Sequence, residues 1–230
     1  MSDSLPPSRR SFLIASGAGM ALSSLPFYAH SKEAPVSLDQ YEPGYFTADE
    51  WRFVMAATAR LIPSEGDGPG ALETHVPVFI DRQLAGEYGS AKDWYMAGPH
   101  DPTASPDRGW QTPLNPAQLY RKAIPAFNAW CQLRWSKDFT ELSTEQQDQA
   151  LTALQKGEAE LNPELSVFFS TLLSNTKEGY LADPMHGGNY GMQAWSYIGF
   201  PGARASYMEW VDQHNVKYPL GPVSIKGERA

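Results

Sequence analysis

Pro163-Glu164-Leu165-Ser166-Val167-Phe168-Phe169-Ser170-Thr171-Leu172-Leu173-Ser174-Asn175-Thr176-Lys177-Glu178-Gly179-Tyr180 carries its apolar residues too densely for a helix with a single dry face. It predicts a helix buried on most sides, at the centre of the core.

Upstream, Ser143-Thr144-Glu145-Gln146 is a capping box. It opens a helix through Ala150, Leu151 and Leu154 that stops at Gly157 with a polar outer face. Asn115-Pro116 joins an N-cap residue to a proline at the first helical position, and Leu119, Ile124, Phe127, Trp130 and Leu133 carry that helix to Trp135. Pro125 lies inside it and predicts a kink. Val76 to Leu84 forms another helix, with Pro77 in its first turn. Thr47-Ala48-Asp49-Glu50 is a second capping box, followed at helical spacing by Trp51, Val54, Met55, Thr58, Leu61 and Ile62 up to Pro63. No stretch alternates with period two and no repeat is present, so the fold class is all-α: one irregular helical domain with long loops. The domain is placed at 47–230 and an extended arm, able to lie on another protein, at 32–46.

Before the arm, Ser8-Arg9-Arg10-Ser11-Phe12-Leu13-Ile14 joins an arginine pair to an apolar run reaching about Leu25. Arg9, Arg10, Phe12 and Leu13 together read as a twin-arginine (Tat) export signal over residues 1–31, addressed to the Tat translocase. The run is shorter than the roughly 20 residues that cross a bilayer as a helix. No Ala-x-Ala follows it, and Ala29-His30-Ser31 is only an approximate cleavage site.

The chain carries a net charge of −8, and loss of residues 1–31 removes Asp3, Arg9 and Arg10, leaving the body one unit more acidic. An acidic surface without a basic cluster speaks against nucleic acid and against direct docking on anionic lipid. Membrane association is therefore expected only through partners. The single cysteine, Cys131, excludes internal disulfides and a thiolate-ligated iron–sulfur cluster. It reads as a small buried hydrophobe, with an intersubunit disulfide as the other possibility.

Catalytic signatures are missing from the sequence: no Cys-x-x-Cys-His, no Gly-x-Ser-x-Gly, no His-Glu-x-x-His and no Glu-x-x-His pair. Gly68-Pro69-Gly70-Ala71 lacks the third glycine of a dinucleotide loop and follows a helix rather than a strand. The long connection from Gly86 to Pro113 holds Trp94, Tyr95, Met96 and Trp110, which serve either as anchors for a partner or as packing against the domain itself.

One segment stands apart. Asp183-Pro184-Met185-His186-Gly187-Gly188-Asn189-Tyr190-Gly191, followed by Trp195-Ser196-Tyr197-Ile198-Gly199-Phe200-Pro201-Gly202, is glycine-rich, aromatic and nearly uncharged. Three readings are open: a partner interface, a metal or substrate loop using Asp183, His186 and Asn189, or packing alone.

Asp183-Pro184 with Gly187-Gly188-Asn189, Trp195 and Ile198-Gly199-Phe200-Pro201-Gly202 resembles the small subunit, subunit 3 or gamma, of gluconate 2-dehydrogenase. The resemblance extends through Arg60-Leu61-Ile62-Pro63, Gly68-Pro69-Gly70-Ala71, Phe79-Ile80-Asp81-Arg82-Gln83-Leu84 and Tyr120-Arg121. It implies a periplasmic complex held at the inner membrane by its other subunits. A flavoprotein large subunit with FAD oxidises the sugar acid, and a cytochrome subunit with haem c passes electrons on. By the same resemblance this chain is a non-catalytic accessory subunit that binds no cofactor, an export escort or chaperone for the flavoprotein. Trp94, Trp110, Asp183, Gly187, Gly188, Asn189, Trp195, Phe200 and Pro201 are its expected partner-facing residues. The rival expectation is a stand-alone periplasmic metal-dependent enzyme or ligand-binding module using the Asp183–Asn189 loop.

Overall fold

The computed structural model describes residues 37–101 and 103–230. The export-signal residues Arg9, Arg10, Phe12 and Leu13 lie outside the described residues. Among the described residues seven α-helices follow in order: α1 Ala48–Leu61, α2 Val76–Ala85, α3 Glu87–Ser90, α4 Pro116–Trp135, α5 Thr144–Gln155, α6 Phe168–Leu181 and α7 Gln193–Ile198. Single 3-10 turns punctuate the loops between them. No β-strand occurs among the described residues; Gly202 meets Val223 in one isolated bridge.

The helix starts are dictated locally. At α1 the Thr47 N–H donates to Glu50 Oε2 (2.9 Å) and the Glu50 N–H to Thr47 Oγ1 (3.4 Å). Asn115 and Gln118 exchange the equivalent pair at α4, and Ser143 and Gln146 at α5. Each box satisfies two otherwise orphaned N–H groups, and loss of such a cap costs about 1 kcal/mol. Helix α6 has no side-chain cap and depends on burial instead.

That burial joins α6 to α1, α2, α4 and α5. Phe168 sits in an aromatic nucleus with Tyr120 (ring centroids 5.3 Å) and Phe53 (6.4 Å), and Phe53 meets Phe139 at 5.1 Å. One buried polar group threads this core. The Asn175 amide accepts from Tyr88 Oη at 2.9 Å and donates to Tyr120 Oη at 3.1 Å, so it is not left unpaired. Gly179 lets α6 close on α2: a Cβ there would stand 2.9 Å from the Phe79 ring.

Helix α6 is buried less completely than its sequence predicts. Phe168, Thr171, Leu172, Asn175, Thr176 and Gly179 form the dry face, Phe169 and Leu173 are half-buried, and Ser170, Ser174, Lys177 and Glu178 make a wet strip. Neighbouring helices occupy one side and the flanks only, and the strip recurs at helical period. Leu133, expected among the apolar residues of its helix, is 89% exposed. Cys131, two residues earlier, points into the core, and two residues are about 200° of helix rotation. Helix α4 runs unbroken through Pro125.

The 86–113 connection contains α3 and a 3-10 turn at Pro106–Arg108. Cys131 is fully buried, and burial pushes its thiol up to about 12. A thiol so enclosed has no route to a partner's sulfur, which sets the intersubunit disulfide aside.

The described part of the arm lies on the chain's own body. Asp81, buried on α2, accepts from Tyr41 Oη (2.9 Å), Gly44 N (2.8 Å), Tyr45 N (3.0 Å) and Phe46 N (3.0 Å). Arg121 of α4 donates to the Tyr45 carbonyl at 2.8 Å and pairs with Glu50. Phe46 completes the clasp by entering the core.

Candidate partner interface

Helix α6 ends at Leu181 against the glycine-aromatic segment. Asp183 caps the 3-10 turn Pro184–His186: its Oδ1 accepts from Met185 N at 3.1 Å, while Oδ2 accepts from Ile225 N at 2.7 Å. Gly188 then passes so close to α6 that a Cβ would lie 2.1 Å from the Gly179 carbonyl oxygen. No residue but glycine fits there.

Asn189 is fully buried, with φ +45°. Its Nδ2 donates to the Ala182 carbonyl (3.0 Å) and its Oδ1 accepts from Ala194 N (3.0 Å) in the first turn of α7. The amide thus ties the exit of α6 to the entry of α7. Tyr190 N donates to Thr74 O at 3.1 Å and the Tyr190 ring stacks on His75 at 4.5 Å, which fixes the loop to the start of α2. Burial lowers the imidazole pKa of His75.

Trp195 is 6% exposed, and its Nε1 donates to Leu181 O (2.8 Å), one of the carbonyls that the end of α6 leaves without a helical partner. Phe200 meets the Trp195 ring edge-on at 5.1 Å while keeping 44% of its own surface open. Around it Leu181, Met185, Tyr197 and Ile198 are exposed too. The segment is built largely inside out: polar groups, glycine and indole N–H are spent internally, Met192 and Ala194 are the buried apolar exceptions, and the five larger apolar side chains just named are left outside. Exposed apolar side chains grouped in this way mark surfaces that meet another molecule.

A family model described as gluconate 2-dehydrogenase subunit 3 matches residues 48–202. The chain belongs to the gluconate 2-dehydrogenase subunit 3 family. No curated protein and no solved structure matches it. Membership of the subunit 3 family makes the chain a member of a multi-subunit dehydrogenase family and implies partner subunits. The match opens at α1 and closes at Gly202, taking in all seven helices and the inside-out segment. No helix among the described residues is long and apolar enough to cross a membrane.

Within this subunit 3 fold the residues singled out from sequence separate into two kinds. Asp183, Gly188, Asn189 and Trp195 are buried and hold the segment; Gly187 and Pro201 are half-buried; Phe200 faces outward. Trp94 and Trp110 lie elsewhere. They pack edge-on at 5.1 Å, Trp94 meets Tyr88 at 5.6 Å, and Trp110 Nε1 donates to Leu114 O at 2.8 Å. Trp110 folds back on the domain, whereas Trp94, though packed on it, stays 37% exposed and Tyr95 between them is almost bare. Sequence reasoning passed over Leu181, Met185 and the apolar residues beyond Gly202, none of which sits in a periodic pattern.

A metal or substrate loop finds little in this geometry. Both oxygens of Asp183 and both polar atoms of Asn189 already hold backbone groups, and His186 is exposed. Among the described residues no group of three or more His, Cys, Asp or Glu converges as a metal site.

Proposed function

We propose that this chain is the non-catalytic small subunit of a membrane-associated, flavin-dependent sugar-acid dehydrogenase, and that it carries the flavoprotein subunit through the Tat route and stabilises it in the periplasm. The observation that carries the reading is the inside-out segment. Asp183, Asn189 and Trp195 are committed to holding a surface whose outer side, Leu181, Met185, Tyr197, Ile198 and Phe200, leaves large apolar side chains open to solvent. Family membership supplies the setting, and Arg9-Arg10 with Phe12-Leu13 supplies the export address. FAD and haem c belong to the partner subunits in this reading, and no residue of this chain is assigned to either. A flavoprotein that folds around its flavin before export needs such an escort, and one that binds only the folded form also stabilises it by mass action.

The test is a pull-down of the tagged full-length chain from detergent-treated membranes, with flavin and haem absorbance read on the eluate. Co-elution of both chromophores with the chain is the expected result. A colourless lone protein would overturn the assignment and return the stand-alone readings.

A further inference from the structure

Beyond Gly202, where the family match ends, the chain forms a loop closed at its neck. Ala203 N donates to Val223 O at 2.8 Å and Val223 N to Pro201 O at 3.3 Å. Gly202 has φ +76°, and a Cβ there would stand 2.2 Å from the Val223 carbonyl oxygen, so the neck requires glycine. Inside the loop Tyr218 is a hub. Tyr207 and Trp210 meet it at 5.8 and 5.1 Å, and the Arg204 guanidinium lies 5.4 Å from its ring centre while donating to Gly221 O. The loop holds its own shape in the manner of a compact surface loop with its ends together.

Its other apolar side chains take no part in that. Met208 is 79% exposed, Val211 66%, Val216 52% and Leu220 54%. The loop is also joined to the inside-out segment twice: Phe200-Pro201 leads straight into the neck, and Asp183 holds Ile225 just past it. Its charges cancel, Arg204 and Lys217 against Glu209 and Asp212. A neutral loop has no basic cluster for anionic lipid, and a net charge of −8 sets one copy of the chain against another.

We propose that the loop 203–222 docks in an apolar depression of the same partner subunit that meets the Leu181–Phe200 surface. The proposal rests on the subunit reading above. Asp183 is a positioning residue here, keeping loop and surface in one orientation.

The experiment uses the full-length chain with the isolated flavin-bearing subunit as probe, at about 0.1 and 1 M NaCl. Capture is read as flavin absorbance, beside the thermal melt of each variant. The triple variant Met208→Ser, Val211→Ser, Leu220→Ser should melt as the parent does and lose roughly tenfold or more of its capture, with parent capture insensitive to salt. A second variant, Val216→Lys, should do the same with one change. Full capture by both variants, alongside loss in Ile198→Ser, would overturn the loop's role and leave the subunit reading standing. No capture by the parent would sink both. A parent that is dimeric in light scattering while the variants are monomeric would assign the loop to a second copy. Parent-only flotation with phosphatidylcholine–phosphatidylglycerol vesicles would assign it to lipid. Either of these last two results overturns the proposal.

Discussion

The nucleus around Phe168 and the segment around Asn189 solve burial in opposite ways. In the first, Phe53, Tyr120, Phe127, Phe139 and Phe168 meet one another and polar groups are nearly excluded. In the second the fully enclosed polar group is the Asn189 amide, packed beside Met192 and Ala194, while Leu181, Met185 and Ile198 stand in solvent. The difference teaches that, on the proposed reading, stability and recognition, which share residues in many surfaces, fall to different side chains a few positions apart. A substitution should therefore move one without the other.

The largest effect belongs to the nucleus. Phe168→Ala should cost about 3–5 kcal/mol of unfolding free energy, read by urea denaturation, because it removes a ring packed on several sides and leaves a cavity. Asn189→Ala comes next. It strands the Ala182 carbonyl and the Ala194 N–H in a buried place, for a loss of about 1–3 kcal/mol. If denaturation showed no loss, the amide would not be the tie between α6 and α7, and the contrast would fail. The smallest effect on stability is expected at Ile198→Ser, within about 0.5 kcal/mol of the parent, although this is the change that should weaken capture of a flavin-bearing partner. An Ile198 variant that binds normally but unfolds easily would invert the comparison.

The helices that were legible in the sequence are those whose beginnings are written in three or four adjacent residues. Thr47 with Glu50, Asn115 with Gln118 and Ser143 with Gln146 form the caps that their spacing implies. Leu133 was misplaced because each three-residue step from Phe127 through Trp130 to Leu133 turns about 60° backward around the helix and out of the buried arc, whereas Leu119, Ala123, Phe127 and Cys131 stay within an arc of about 120°. The glycine-aromatic segment was visible as something unusual, but its inner and outer residues could not be sorted. That sorting depends on the Ala182 and Leu181 carbonyls and on the Gly179 backbone, contacts that no local pattern encodes. The loop after Gly202 was not legible at all, since its apolar residues follow neither a helical nor a strand period.

The clasp at Asp81 bears on how the chain starts. One carboxylate on α2 gathers a phenol and three successive-region amides from residues 41–46, so the strand of chain entering the domain is stitched to a helix that itself packs on α6. The segment Gly44–Phe46 is held by α2 through Asp81 and by α4 through Arg121, so the entry to the domain closes only where two helices already stand side by side.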